Sequence, residues 1–157
     1  MTAAISEVST PQFVKTVAVS DMFEIQSSKL AAEMSKNAAV QEFAATMIKD
    51  HTKTSNELKS LMKQGNAQKA LPSQLDEKHT QMLNQLKSAS GANFDGSYKQ
   101  MQVQAHQEAV DLFESYSQKG DNAELRAWAG KTLPALQQHL QHAQNLQVTQ
   151  QTGDLRK

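Results

Sequence analysis

The sequence predicts an all-α protein of one domain, built as a four-helix bundle with a long crossover. Apolar residues recur every three or four positions along most of the chain, which is the spacing of an amphipathic helix. The long segments are rich in Ala, Gln, Leu, Lys and Met, and there are only six Gly and three Pro. With 157 residues the chain has room for one core but no second domain.

The first two predicted helices form an antiparallel hairpin. The first covers about residues 10–35 and begins at Ser9-Thr10-Pro11, where a hydroxyl can cap the helix and a proline in the first turn costs no hydrogen bond. The second covers about residues 38–64, after a turn near Asn37, and is stopped by Gly65-Asn66.

The third predicted helix is shorter and lies on the connection between two hairpins. It covers about residues 72–89, opens at Leu71-Pro72-Ser73 and ends at Ser90-Gly91. A helix of about 18 residues spans about 27 Å, nearly enough to carry the chain from one end of the bundle to the other. A four-helix bundle with one such crossover is the ferritin-like arrangement.

The fourth and fifth predicted helices form the second hairpin. The fourth covers about residues 95–119 and the fifth about residues 121–148. Asp121 and Glu124, three residues apart, predict an acidic cap at the start of the fifth helix. Pro134 lies inside this helix and is expected to kink or briefly break it.

The predicted domain organisation is one helical bundle between two short ends. Residues 10–148 form the bundle, and we expect residues 1–9 and 149–157 to be a flexible N-terminus and a flexible C-terminal tail.

Composition narrows the classes of function. Sixteen basic and sixteen acidic residues give a formal net charge of zero, so we expect no nucleic-acid partner. The absence of cysteine excludes disulfides, thiolate ligands and a cysteine nucleophile. Apolar runs are only a few residues long, against about 20 needed to span a bilayer, so no transmembrane segment is expected in this sequence.

Four polar residues interrupt the apolar faces of four different predicted helices. They are Glu24, His51, His106 and His139. At 1.5 Å of rise per residue, all four fall within one or two turns of the middle of the bundle. Imidazole nitrogens and a carboxylate oxygen suit Zn, Fe, Mn or Cu, so these residues predict a site for a single divalent transition metal ion.

A second interpretation of the same residues stays open. The buried acid and imidazoles can form a metal-free hydrogen-bond network that fixes the packing of the core, with Tyr98 or Tyr116 as a member. Asp50, beside His51, is a candidate outer acceptor or additional ligand.

Two other pairs of polar residues, each three positions apart, are weaker indications of a metal site. Asp76 and His79, three residues apart on the crossover, are interpreted as a solvated edge, and His139 with His142 as a pair that could chelate adventitious metal.

Several short motifs, in order and at the right spacing, resemble a family of bacterial ferritin-like helical proteins with a domain of unknown function, often labelled outer membrane or exported proteins. The resemblance covers about residues 10–146. Its motifs are Phe43-Ala44 to Asp50-His51, Leu71-Pro72, Phe94-Asp95 with Tyr98 and His106, and Leu133-Pro134-x-Leu136-x-x-His139.

The resemblance implies a ferritin-like bundle and an exported, periplasmic protein, but no settled activity. Residues 1–7 lack the basic start and apolar core of a signal peptide, so we expect the export signal of the native gene product to precede this sequence. A native protein without such a signal is expected in the cytoplasm.

Ferritin-like di-iron enzymes need a Glu-x-x-His motif on each of two helices. The residues three positions before His51, His106 and His139 are apolar, namely Ile48, Val103 and Leu136. The missing motif disfavours a ferroxidase or an oxygenase. The sequence therefore predicts a non-enzymatic bundle that binds one metal ion or, as the alternative, a metal-free structural or protein-interaction module of the cell envelope.

Overall fold

A computed structural model describes residues 8–63 and 71–148, and the regular structure in these ranges is entirely helical. The helices, in chain order, are α1 (Thr10–Met34), α2 (Ala38–Leu61), α3 (Glu77–Ser88), α4 (Ala92–Lys119) and α5 (Ala123–Gln144). The prediction of an all-α bundle is confirmed. Residues 1–7, residue 64 with the stop signal Gly65-Asn66, and the predicted tail 149–157 lie outside the described residues.

The first hairpin begins as predicted. The Ser9 side chain accepts a hydrogen bond from the backbone amide of Gln12 and so caps α1. Asn37 caps α2 by accepting from the amide of Ala39 at 2.9 Å. Short polar side chains thus satisfy amides that have no partner inside either helix.

The short crossover helix is shorter than predicted. Residues 72–76 are not helical, and α3 begins only at Glu77. The reason is Asp76, whose carboxylate accepts from the amide of His79 at 2.9 Å and is a better N-cap than the Leu71-Pro72-Ser73 opening.

The predicted cap of α5 is also wrong, and of the kink or brief break expected at Pro134 the break does not occur. Its cap is Asn122, which accepts from the amide of Leu125 at 3.0 Å, while Asp121 instead accepts from the hydroxyl of Thr10. The helix runs without a break through Pro134 and ends at Gln144. A proline removes one backbone hydrogen bond, and the packing of α5 along α4 retains the helix on both sides of it.

Contacts between helix ends fix the direction of the chain. The start of α1 meets the end of α4, where Thr10 Oγ1 and Tyr116 Oη lie 2.5 Å apart. Ser28 Oγ and Tyr98 Oη, 2.7 Å apart, join the later part of α1 to the early part of α4. Because α1 and α4 are antiparallel, the segment between α2 and α4 carries the chain back along the bundle, as predicted for a crossover.

The hairpins α1/α2 and α4/α5 pack with α1 beside α4 and α2 beside α5, and α3 lies against α1 and α4. The apolar core has two parts. One gathers around Phe13, Phe113 and Trp128 near the start of α1, and the other around Phe43 and Phe94 at the opposite end. Buried polar residues occupy the middle of the bundle between them. No described helix is both long enough and apolar enough to cross a membrane.

Gly120→Ala is expected to lower the free energy of unfolding by about 1–3 kcal/mol. A β carbon at residue 120 would overlap the Tyr116 ring, which is stacked on Phe13 with ring centroids 3.9 Å apart and has little freedom to move. Urea unfolding monitored by circular dichroism measures the change.

Gly130→Ala is the matched control. The nearest atom to a β carbon there is Ser117 Cβ at 3.7 Å, an ordinary contact, and alanine favours an exposed helical position by about 1 kcal/mol. This variant is expected to be as stable as the parent or more so, and equal destabilisation by the two variants would contradict the packing described here.

Candidate metal centre

Three histidines from three helices meet in the polar middle of the bundle. His51 lies on α2, His106 on α4 and His139 on α5, and all three are buried. Their ring centroids form a nearly equilateral triangle with sides of 5.5, 5.5 and 5.4 Å. One ligand atom from each ring lies within 4.8 Å of the other two. The structure therefore brings together the three histidines that the sequence singled out.

The outer nitrogens of His51 and His106 are held by acceptors. Nδ1 of His51 lies 2.8 Å from a carboxylate oxygen of Asp21. Nδ1 of His106 lies 2.8 Å from the backbone carbonyl oxygen of Gln102. Because a carbonyl or an ionised carboxylate only accepts, both Nδ1 atoms carry the hydrogen and donate. In a neutral ring this leaves the lone pair on Nε2, which is the usual way in which an outer partner orients a metal-binding histidine.

In His139 the two ring nitrogens have the opposite roles to those in His51 and His106. Its Nε2 lies 2.8 Å from Oδ2 of Asp50, so it donates to that carboxylate. Its Nδ1 is buried and has no hydrogen-bond partner among residues 8–63 and 71–148. A buried nitrogen without a partner costs free energy, and here it is the nitrogen that remains for a ligand.

The inner nitrogens of His51 and His106 lie at a distance that one shared cation can bridge. Their Nε2 atoms are 3.4 Å apart. A tetrahedral ion with metal–nitrogen bonds of about 2.0–2.1 Å holds two nitrogens about 3.3–3.4 Å apart. Two lone pairs that face each other at this distance need a cation or a proton between them, so the geometry fits either a metal ion or a shared proton.

Glu24 lies beside this group but outside it. Its side chain on α1 is 1 % exposed, and neither carboxylate oxygen has a partner in hydrogen-bond geometry within the described part of the chain. Burial raises the pKa of Glu24 to about 7, against the lowering effects of the charge of His51 and the side chain of Gln102. The set of ligand atoms that lie within reach of one ion contains the three histidines and not Glu24.

The protonation of the three rings follows from their surroundings. Burial, with the charge of His51 next, lowers the pKa of His106 to about 3, so this ring is neutral near pH 7. Burial also lowers the pKa of His139, and the hydrogen bond to Asp50 does not fully offset it. For His51, burial is outweighed by the hydrogen bond and charge of Asp21, with help from Glu24, and the pKa is raised. The group thus holds two neutral imidazoles and one that readily carries a positive charge.

Glu24→Gln is expected to stabilise the metal-free protein at alkaline pH. Between about pH 4.5 and 7 the folded chain keeps a proton on Glu24 that the unfolded chain has lost, so stability falls as the pH rises through this window. Glutamine is neutral throughout and removes this loss. The variant should exceed the parent by about 1–3 kcal/mol at pH 8 and differ little at pH 4.5, measured by urea unfolding with a chelator present.

Glu33→Gln, which changes an exposed carboxylate on the same helix, is the control for this experiment. It should leave the pH dependence of unfolding unchanged, since an exposed carboxylate keeps its solvation. A Glu24→Gln variant that is less stable than the parent at pH 8 would show that the carboxylate has a stabilising partner in the folded chain.

Sequence reasoning missed two members of this layer, Asp21 and Gln102. Asp21 lies four residues after Val17 and three before Glu24, and so shares the buried face of α1; this spacing was a usable signal. The role of Gln102 rests on its backbone carbonyl, which no pattern of side chains can reveal. Asp50 is an outer acceptor, as one of its two predicted roles required, but for His139 and not for its neighbour His51.

The two tyrosines named in the metal-free interpretation lie in different parts of the bundle. Tyr98 is buried near Glu24 and pairs with Ser28, whereas Tyr116 pairs with Thr10 at the end of the bundle, away from the histidines. Of the weaker pairs, Asp76 and His79 hydrogen-bond to each other at 2.6 Å, and His142 is exposed with its ring against Phe43.

Comparison with known proteins adds a family and a fold. The family profile described as a domain of unknown function, DUF4142, matches residues 1–146. No curated protein sequence matches the chain. Among solved structures, the chain is similar to "CopM in the Cu(II)-bound form", with a TM-score of 0.73 and 16% sequence identity over 88% of this chain and 95% of that one. At this identity the likeness shows a shared helical fold.

Proposed function

The chain belongs to DUF4142, a family defined by a domain of unknown function, and we propose that it binds one divalent transition metal ion through His51, His106 and His139. The observation that carries the proposal is the set of three inward nitrogens, each on a ring whose other nitrogen is held by an acceptor. Three imidazoles from rigid helices form a prepared ligand set, because packing fixes their orientation before the ion arrives.

Glu24 completes the proposed site. Its unpartnered carboxylate lies beside His51 and supplies the fourth, oxygen ligand after a side-chain movement. A divalent cation also stabilises the ionised form of a carboxylate that burial otherwise keeps protonated. In the metal-free chain the burial of Glu24 lowers the stability of the fold. On this proposal Glu24 is therefore buried there because it binds the ion and not because it helps the chain to fold.

Cu(II) is the first ion to test among Zn, Fe, Mn and Cu. Imidazole suits copper and zinc, and among divalent ions copper binds nitrogen sites most strongly, whereas manganese favours oxygen ligands. The structural neighbour CopM was solved in a Cu(II)-bound form and supports copper as the first choice.

The test is metal analysis of the untagged protein after incubation with each ion and removal of the excess. We expect one bound ion per chain, and none in a His51→Ala/His106→Ala variant. A His142→Ala variant, which removes an exposed imidazole outside the group, serves as the control for adventitious binding and should keep the full stoichiometry. No stoichiometric ion in the parent protein would contradict the proposal.

A metal-free structural or interaction module of the cell envelope is the second candidate. The raised pKa of His51 favours it, because a proton on His51 Nε2 could be shared with the neutral ring of His106 at 3.4 Å. In that case the histidines bind no ion, and a pull-down from an envelope extract should recover a partner.

We also propose that the native protein is exported to the periplasm. The support is the resemblance to exported ferritin-like proteins. Fractionation of cells that express the full native gene tests this, and recovery of the protein in the cytoplasmic fraction would contradict it.

A further inference from the structure

A cavity leads from the protein surface to the histidine group between α1 and α4. Its volume is about 280 Å³. Its inner wall includes His51 and Asp21, which are buried, and its outer wall includes Gln12 and Glu108, which are exposed. His79 on the crossover helix α3 also lines it. The cavity therefore connects solvent with His51, one of the three histidines of the proposed site.

The charge of this cavity suits the passage of a cation. Its lining includes the carboxylates of Asp21 and Glu108, and no lysine or arginine of the described ranges belongs to it. A smaller cavity of about 180 Å³ reaches His51 and His139 from the α2/α5 side. Its lining contains Lys53 and Lys131, which offset the carboxylates of Asp50 and Glu57. Carboxylates in a cleft concentrate cations near it, and lysines at an opening repel them.

The ring of His79 is held in a fixed orientation on the wall of the first cavity. Its Nδ1 lies 2.6 Å from Asp76, and its ring packs against Phe23 with centroids 5.3 Å apart. Because Nδ1 is engaged by the carboxylate, Nε2 is the nitrogen available for a ligand. Lys78 on α3 forms an exposed ion pair with Glu108 on α4 at 3.7 Å beside the cavity, so the charge of Glu108 is partly offset there.

We propose that the cavity between α1 and α4 is the route by which the metal ion reaches the site, and that His79 and Glu108 are its first ligands. This inference rests on the proposed function. The ion binds the exposed carboxylate and the half-buried imidazole transiently, then moves inward to His51, His106 and His139. Residues on this route change the rate of binding and leave the final affinity nearly unchanged.

Stopped-flow mixing of the intact chain with Cu(II) tests the route. Trp128 is the only tryptophan, lies about 16 Å along α5 from His139, and its quenching by Cu(II) reports binding. We expect His79→Gln and Glu108→Gln each to slow association about tenfold, with the stoichiometry and equilibrium affinity unchanged within about twofold. Ala105→Phe, which narrows this cavity, should also slow association.

Each variant has a matched control. His142→Gln removes an imidazole that packs on a phenylalanine just as His79 does, but lies in neither cavity, and it should keep the parental rate. Ala135→Phe narrows the α2/α5 cavity and should also keep it. Unchanged rates in His79→Gln and Glu108→Gln, or a greater slowing by Ala135→Phe than by Ala105→Phe, would overturn the route while the metal site stands. A parent protein that binds no Cu(II) would overturn the site itself, and the route with it.

Discussion

The His51→Ala/His106→Ala variant is expected to lose all metal-dependent thermal stabilisation. An ion that binds only the folded chain at 100 times its Kd stabilises the fold by about 2.7 kcal/mol. In a chain of this length that raises the Tm by about 5–10 °C. The variant loses two of the three inward nitrogens, and the remaining His139 cannot hold the ion alone. Differential scanning calorimetry with and without one equivalent of Cu(II) measures the shift.

The comparison uses the shift and not the absolute Tm, because removal of His51 leaves the buried Asp21 with Thr54 as its remaining hydrogen-bond donor and changes the metal-free stability. A His79→Gln/His142→Gln variant keeps the three inward histidines and should show the full shift. The chelator EDTA should return the parent protein to its metal-free Tm. An equal metal-dependent shift in parent and in His51→Ala/His106→Ala would place the bound ion elsewhere on the chain.

Phe13→Ala is expected to have the largest effect on stability, a loss of about 3–5 kcal/mol in the free energy of unfolding. Phe13 is fully buried, stacks on Tyr116 at 3.9 Å and meets Phe113 edge-on at 5.3 Å. Its removal leaves a cavity. The contact between Thr10 and Tyr116 holds the start of α1 against the end of α4, so these helix ends cannot easily move in to close it. Urea unfolding in the presence of a chelator measures this loss.

Phe13→Leu, which retains most of the volume, should cost less than Phe13→Ala. Cu(II) stoichiometry should persist in both variants, because Phe13 belongs to the apolar cluster at one end of the bundle and the histidines to the polar middle. A loss below about 1 kcal/mol for Phe13→Ala would show that this end of the core repacks freely.

The helices were predictable because their signals are local. Three-residue and four-residue apolar spacing and the caps at Ser9 and Asn37 act within one or two turns, so the sequence contains them in full. The boundaries of α3 and α5 were mispredicted where two capping residues compete, at Asp76 and Asn122. A continuous helix through Pro134 depends on tertiary packing, which local sequence does not report.

The candidate site was predictable in part for a related reason. Position along a helix converts to height in the bundle, and this places Glu24, His51, His106 and His139 within one or two turns of the middle. The three histidines do meet there. Orientation does not follow from height. The separation of Glu24 from the histidine group, the pairing of His51 with Asp21 and the exchanged nitrogens of His139 all depend on side-chain rotamers and helix rotation.

X-ray absorption spectroscopy of the protein loaded with one equivalent of Cu(II) tests the central claim most directly. The claim is that three imidazoles from three helices share one ion. The spectrum is expected to contain the scattering of three imidazole rings, with nitrogen at about 2.0 Å and an oxygen as a further ligand. A spectrum with one imidazole or none, or the same spectrum from the His51→Ala/His106→Ala variant, would contradict it.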